Sequence, residues 1–78
     1  MPVGRVKWFD AKRHFGFLIQ DDGGEIFFHE TDVSEIDRPL DSGDRVIFRL
    51  EQGPRGPIAR RLFCVRRAHE LDGSKLAG

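Results

Sequence analysis

Apolar and polar positions alternate along this chain in short runs separated by turn residues, which is the pattern of strands. Gly4 to Asp10 (Gly-Arg-Val-Lys-Trp-Phe-Asp) is rich in β-branched and aromatic residues and reads as a first strand. Strict alternation puts Val6 and Trp8 on one face, so a core Val6 beside an exposed Trp8 requires a bulge or strong twist between them. Phe15 to Gln20 is a second strand. Asp21-Asp22-Gly23-Gly24 supplies the positive φ of a tight turn, so Glu25 to His29 folds back as the third strand of an antiparallel hairpin. From Glu30 to Leu40 the periodicity lapses, and one helical or 3₁₀ turn is expected over 31–36, capped by Thr31, with Val33 and Ile36 packing inward. After the turn at 41–44, Arg45 to Glu51 alternates with Val46, Phe48 and Leu50 inward and Arg45, Ile47, Arg49 and Glu51 outward. Gln52 to Pro57 is a breaker-rich loop, and Ile58 to Val65 a fifth strand. Five short strands favour an all-β, five-stranded antiparallel barrel, whose closure removes exposed edges. Residues 1–66 read as one domain and 67–78 as a polar, flexible tail.

The second and third strands carry an anomaly. Phe15, Phe17 and Ile19 share one face and Leu18 and Gln20 the other, so apolar residues stand on both sides. Ile26-Phe27-Phe28-His29 repeats this, with Phe27 and His29 opposite in direction to Ile26 and Phe28. A domain of 78 residues cannot bury both faces. Phe15, Phe17, Phe27 and His29 therefore form an exposed patch beside Lys12 and Arg13. Flat π-faces bordered by positive charge are what an unpaired nucleic acid needs from a protein.

The formal net charge of zero argues at first against a polyanion, but its distribution does not. Residues 1–20 hold four basic and one acidic side chain, residues 21–44 one and nine, and residues 45–78 eight and three. The aromatic segment lies in a basic block, which permits a basic face backed by an acidic one. The single cysteine, Cys64, forms no internal disulfide, which suits a cytoplasmic setting and a half-buried apolar role. No apolar run reaches membrane-spanning length, and the first residues lack the core of a signal peptide. His14, His29, Cys64 and His69 show no ligand-pair spacing, so no metal and no cofactor are expected. No phosphate-binding glycine loop, nucleophile–base pair or catalytic carboxylate pair is present, so no enzyme is expected. Phe9 reads as a partly buried structural residue; Phe63 fits either the core or an extra ring for a base.

Taken together, Gly4-Arg-Val-Lys-Trp-Phe-Asp10, Lys12-Arg-His-Phe-Gly-Phe-Leu18, Ile26-Phe-Phe-His29 and Gly53-Pro-Arg-Gly-Pro57 resemble the bacterial cold-shock proteins over about residues 3–65. The resemblance implies an OB-fold barrel that binds single-stranded RNA or DNA as an RNA chaperone. It places Lys7, Trp8, Phe15, Phe17, Phe27 and His29 at nucleic-acid-contacting positions, with Lys12 or Arg13 and Arg55 near the backbone path. His14 stands where the family usually has Gly, and is a candidate to stack or to touch phosphate. Glu30 replaces a frequent Phe, Asp10 replaces Asn, and the loop around Ile36-Asp37-Arg38 is shorter and lacks the usual aromatic. These departures remove stacking surface worth about 1–3 kcal/mol per base, so weaker binding over a shorter footprint is expected. The expected partner is a pyrimidine-rich single strand, bound by a monomer capable of strand exchange, with no membrane and no small-molecule substrate. A degenerate barrel serving as a protein-interaction module is the competing expectation, motivated by Glu30, Asp37 and the zero net charge.

Overall fold

A computed structural model describes residues 1–68 as five strands and two short 3₁₀ turns. The strands are β1 (Val3–Asp10), β2 (Phe15–Gln20), β3 (Glu25–His29), β4 (Arg45–Gly53) and β5 (Gly56–Arg66), and they close a barrel in the order β1-β2-β3-β5-β4. Four of the seams are antiparallel. The fifth, between β3 and β5, is parallel at Phe27↔Ile58 and is extended by a parallel bridge between Val33 and Leu62. The expected barrel is therefore present, with mixed rather than wholly antiparallel pairing.

Alternation fills the interior. Val6, Leu18, Ile26, Phe28, Val46, Phe48, Ala59 and Leu62 point inward and are buried, joined from the 30–44 connection by Val33 and Leu40. Phe9 lies stacked against Phe28 at 6.0 Å and packs on this core from its rim. The hinge expected in β1 is a register shift: Val6 faces Leu18 while Trp8 faces Phe17, so the strand gains a residue and Trp8 turns out. Gly16 makes this possible, because a Cβ there would collide with the Trp8 carbonyl and the Phe28 ring.

Two inward assignments fail. Leu50 is 44% exposed: β4 shifts register against β5 between Ile47 and Arg49, and past that shift Arg49, Leu50, Glu51 and Gln52 are all exposed. Ile36 is 89% exposed. The connection forms two 3₁₀ turns, Glu30–Asp32 and Glu35–Asp37, and the second turns Asp37 inward to accept the Cys64 N–H at 2.9 Å. So short a turn cannot present Ile36 to the same side. The cap of the first turn is also not Thr31 but His29, whose Nδ1 accepts the Thr31 N–H.

One polar cluster ties the chain's two ends of this connection to β5. Asp44, fully buried, accepts the Asp41 N–H and an Arg67 guanidinium N–H on Oδ2, at 2.9 and 3.0 Å, and the Ala68 N–H on Oδ1 at 2.8 Å. Arg67 also donates to the Asp37 and Pro39 carbonyls at 2.8 and 3.0 Å. Arg67 and Ala68, assigned to the tail by sequence, are thus bonded to the barrel; the rest of that tail, from residue 69, lies outside the described residues. Arg67→Ala leaves a buried carboxylate without its cation, which should cost about 3–5 kcal/mol of unfolding free energy. Urea denaturation checks this, and a loss below about 1 kcal/mol would show that Asp44 does not depend on Arg67.

Candidate nucleic-acid interface

The outward positions of β2 and β3 bring together the rings that the sequence singles out. Phe15 pairs with His29 and Phe17 with Phe27 across the hairpin, and the β1 shift sets Trp8 beside Phe17. Ring centroids lie 5.6 Å apart for Trp8–Phe15, 5.4 Å for Trp8–Phe17, 5.5 Å for Phe15–Phe27 and 5.7 Å for Phe17–Phe27. All four pairs are tilted or edge-on, so each ring braces its neighbours. Trp8 remains 38% exposed and the three Phe partly so, although the core lies directly beneath on alternate residues.

His29 completes the row. Its Nδ1 accepts the Thr31 N–H at 3.2 Å and lies 3.0 Å from the Thr31 hydroxyl. A neutral imidazole that accepts at Nδ1 carries its proton on Nε2, so the exposed edge of the ring is a donor.

The cations around the rings are not equivalent. Lys7 Nζ is bonded to Glu25 at 2.8 Å, and Arg13 Nε stands 3.7 Å from Asp10. Asp10 also accepts the Lys12 and Arg13 N–H groups on Oδ1, at 2.9 and 3.3 Å, which shapes the turn between β1 and β2. Among the described residues neither Lys12 nor Arg55 has an acidic partner. Arg55 lies in the β4–β5 turn, which leans over the hairpin. Together with Pro54, Pro57 and Ile58 it walls a hollow floored by Phe17 and Phe27. Sequence reasoning missed the two prolines and Ile58, since only the parallel Phe27↔Ile58 seam brings that turn to the rings.

His14 and Glu30, the two departures flanking the Phe15 end, bind each other. His14 takes φ +66°, a left-handed conformation that glycine adopts most readily, and its Nδ1 lies 2.9 Å from Glu30 Oε1. The Glu30 N–H donates back to the His14 carbonyl at 2.7 Å. His14 thus has a carboxylate partner while its side chain stays 59% exposed, and the negative charge of Glu30 is held beside Phe15 and His29.

Elsewhere the titratable groups look structural. Burial, and next the Asp44 carboxylate, push the Cys64 thiol up, which keeps it a protonated filler against the core. Among the described residues no three His, Cys, Asp or Glu converge on a point that could hold a metal, and no helix is long and apolar enough to cross a membrane. His69 lies outside those residues.

The family described as the "'Cold-shock' DNA-binding domain" matches residues 3–64. A cold shock-like protein CspA of Shewanella violacea is 49% identical over 65 residues, covering 81% of this chain and 93% of that one. A cold shock protein CspC of Bacillus subtilis is 42% identical over 60 residues, covering 76% and 91%. Among solved structures, Drosophila Unr CSD456 superposes with a TM-score of 0.70 at 26% identity, covering 86% of this chain and 27% of that one. With its barrel, its hairpin of outward rings and these relatives in agreement, the chain belongs to the cold-shock domain family.

Proposed function

We propose that this protein binds single-stranded RNA or DNA on the face formed by Trp8, Phe15, Phe17, Phe27 and His29, and acts as an RNA chaperone without catalysing a reaction. The contiguous, outward packing of four aromatic rings over an already filled core carries this reading. Unpaired bases stack on the rings, and the His29 Nε2–H and the Arg55 guanidinium are placed to donate to base or phosphate oxygens. Ligation of the unpaired state stabilises it by mass action, so weak secondary structure melts without an energy source. A cytoplasmic location and a pyrimidine-rich ligand suit this role. The intact aromatic cluster leaves the alternative of a protein-interaction module unfavoured.

The platform is uneven along its length. Glu30 holds a charge where a ring would add stacking, Ile36 offers no ring, and Lys7 and Arg13 are shared with Glu25 and Asp10. Affinity for a short strand should therefore fall below that of relatives with a full set of rings.

Titration of a short oligo-dT or oligo-U should quench Trp8 fluorescence; unchanged emission together with no mobility shift would refute the reading. Phe15→Ala or Phe27→Ala should weaken binding by about 1–3 kcal/mol while leaving the melting temperature close to that of the unaltered protein. A large loss of stability would instead assign these rings to the core. Glu30→Gln removes a charge next to the ligand and should strengthen binding by up to about 1 kcal/mol, the interaction of unit charges about 4 Å apart in water. That gain should shrink as salt is raised, and a gain that ignores salt would point to repacking instead.

A further inference from the structure

The barrel has a second outward face, on β1, β4 and β5, in which apolar and basic residues are arranged in rows. Val3, Ile47 and Phe63 are direct cross-strand partners, and their chain neighbours Gly4, Val46 and Cys64 point into the barrel. Phe63 is 46% exposed and Val65 next to it 56%, so the question left open for Phe63 resolves against the core. The adjoining row is Arg5, Arg45 and Arg66, again direct partners across the three strands.

Like charges placed directly opposite destabilise a sheet. Of the three arginines only Arg45 has an acidic partner, Asp21, at 3.2 and 3.4 Å. Among the described residues Arg5 and Arg66 have none, nor does Arg49, which lies two residues beyond Ile47 on the same side of β4. A second copy packed symmetrically on the same face does not relieve the row, because it sets arginine against arginine. A polyanion with flat apolar groups can, since it supplies a charge for each guanidinium and a base for Phe63.

The two faces are continuous. Arg5 pairs with Ile19, which shares the outer side of β2 with Phe15 and Phe17. The arginine row thus begins about 7 Å, two residues of strand, beyond Phe17 and crosses about 10 Å of sheet to Arg66. It starts at the end of the platform opposite to Glu30.

We propose that a single strand longer than the platform continues past Arg5 across the outer face of β1, β4 and β5, with phosphates against Arg5 and Arg66 and a base stacked on Phe63. This rests on the proposed nucleic-acid binding of the rings and extends it. It makes the footprint short at the Glu30 end and long at the Arg5 end.

Pyrimidine oligonucleotides of about 6 and about 14 nucleotides separate the two faces, because single-strand sites on such barrels span about 4–16 nucleotides. Phe63→Ala should weaken the longer ligand from about fivefold to about a hundredfold and leave the shorter unchanged. Arg66→Gln, at an exposed position with no acidic partner among the described residues, should make the salt slope for the longer ligand shallower by about 0.7 and leave that of the shorter one unaltered. Equal losses on both lengths, or no loss on either, would overturn the extended path while the platform stood. Failure of the unaltered protein to bind even the shorter ligand would overturn the platform and the path together.

Discussion

The interior of this barrel is full, and the rest of the structure follows from that. Leu18, Ile26, Phe28, Val46 and Phe48 occupy the inside of the strands with essentially no exposure. Each intervening residue must then point outward. On β1, β4 and β5 the outward positions mix basic and apolar residues. On β2 and β3 they are Phe15, Phe17, Phe27 and His29, so the molecule keeps a cluster of rings at its surface that cannot be withdrawn without displacing the core. Such a surface is preorganised: the rings brace one another at 5.4–5.7 Å, and little ordering remains for a ligand to impose.

Charge decides how much of that surface is useful. Several cations nearest the rings are already engaged by carboxylates, and Glu30 adds a negative charge at one end. The pairing of His14 with Glu30 links two departures from the family pattern into one local arrangement, in which a residue at φ +66° is held by the carboxylate it faces. Among the described residues, cations without acidic partners include Lys12, Arg55 over the Phe17–Phe27 hollow, and Arg5 and Arg66 at the two ends of the arginine row. A chain with no net charge therefore still presents basic ground beside its rings, while its acidic residues include ones that shape turns, pair with cations and build the buried Asp44 cluster.

Much of this was legible in the sequence. The alternation of two apolar sets across Phe15–Gln20 and Ile26–His29 announced the exposed rings, and the conflict between Val6 and Trp8 announced the shift in β1. Other features left no periodic trace. The parallel β3–β5 seam rests on one register pair and one bridge, Phe27↔Ile58 and Val33↔Leu62, which no local pattern encodes. Leu50 continues a clean alternation past the register shift between Ile47 and Arg49, where β4 no longer buries its inward side. Ile36 lost its place to Asp37, whose carboxylate takes a backbone N–H that solvent cannot reach easily. Arg67 is one arginine among many in a polar stretch, and only the fold puts it against Asp44.

On this reading the outward rings receive unpaired bases while the inward ones hold the barrel. An NMR titration of the protein with a short pyrimidine-rich oligonucleotide tests it directly. Amide resonances of Trp8, Phe15, Phe17, Phe27 and His29 should move together and saturably. Unmoved resonances at these positions, with binding still detected, would contradict the account and place the ligand elsewhere on the barrel.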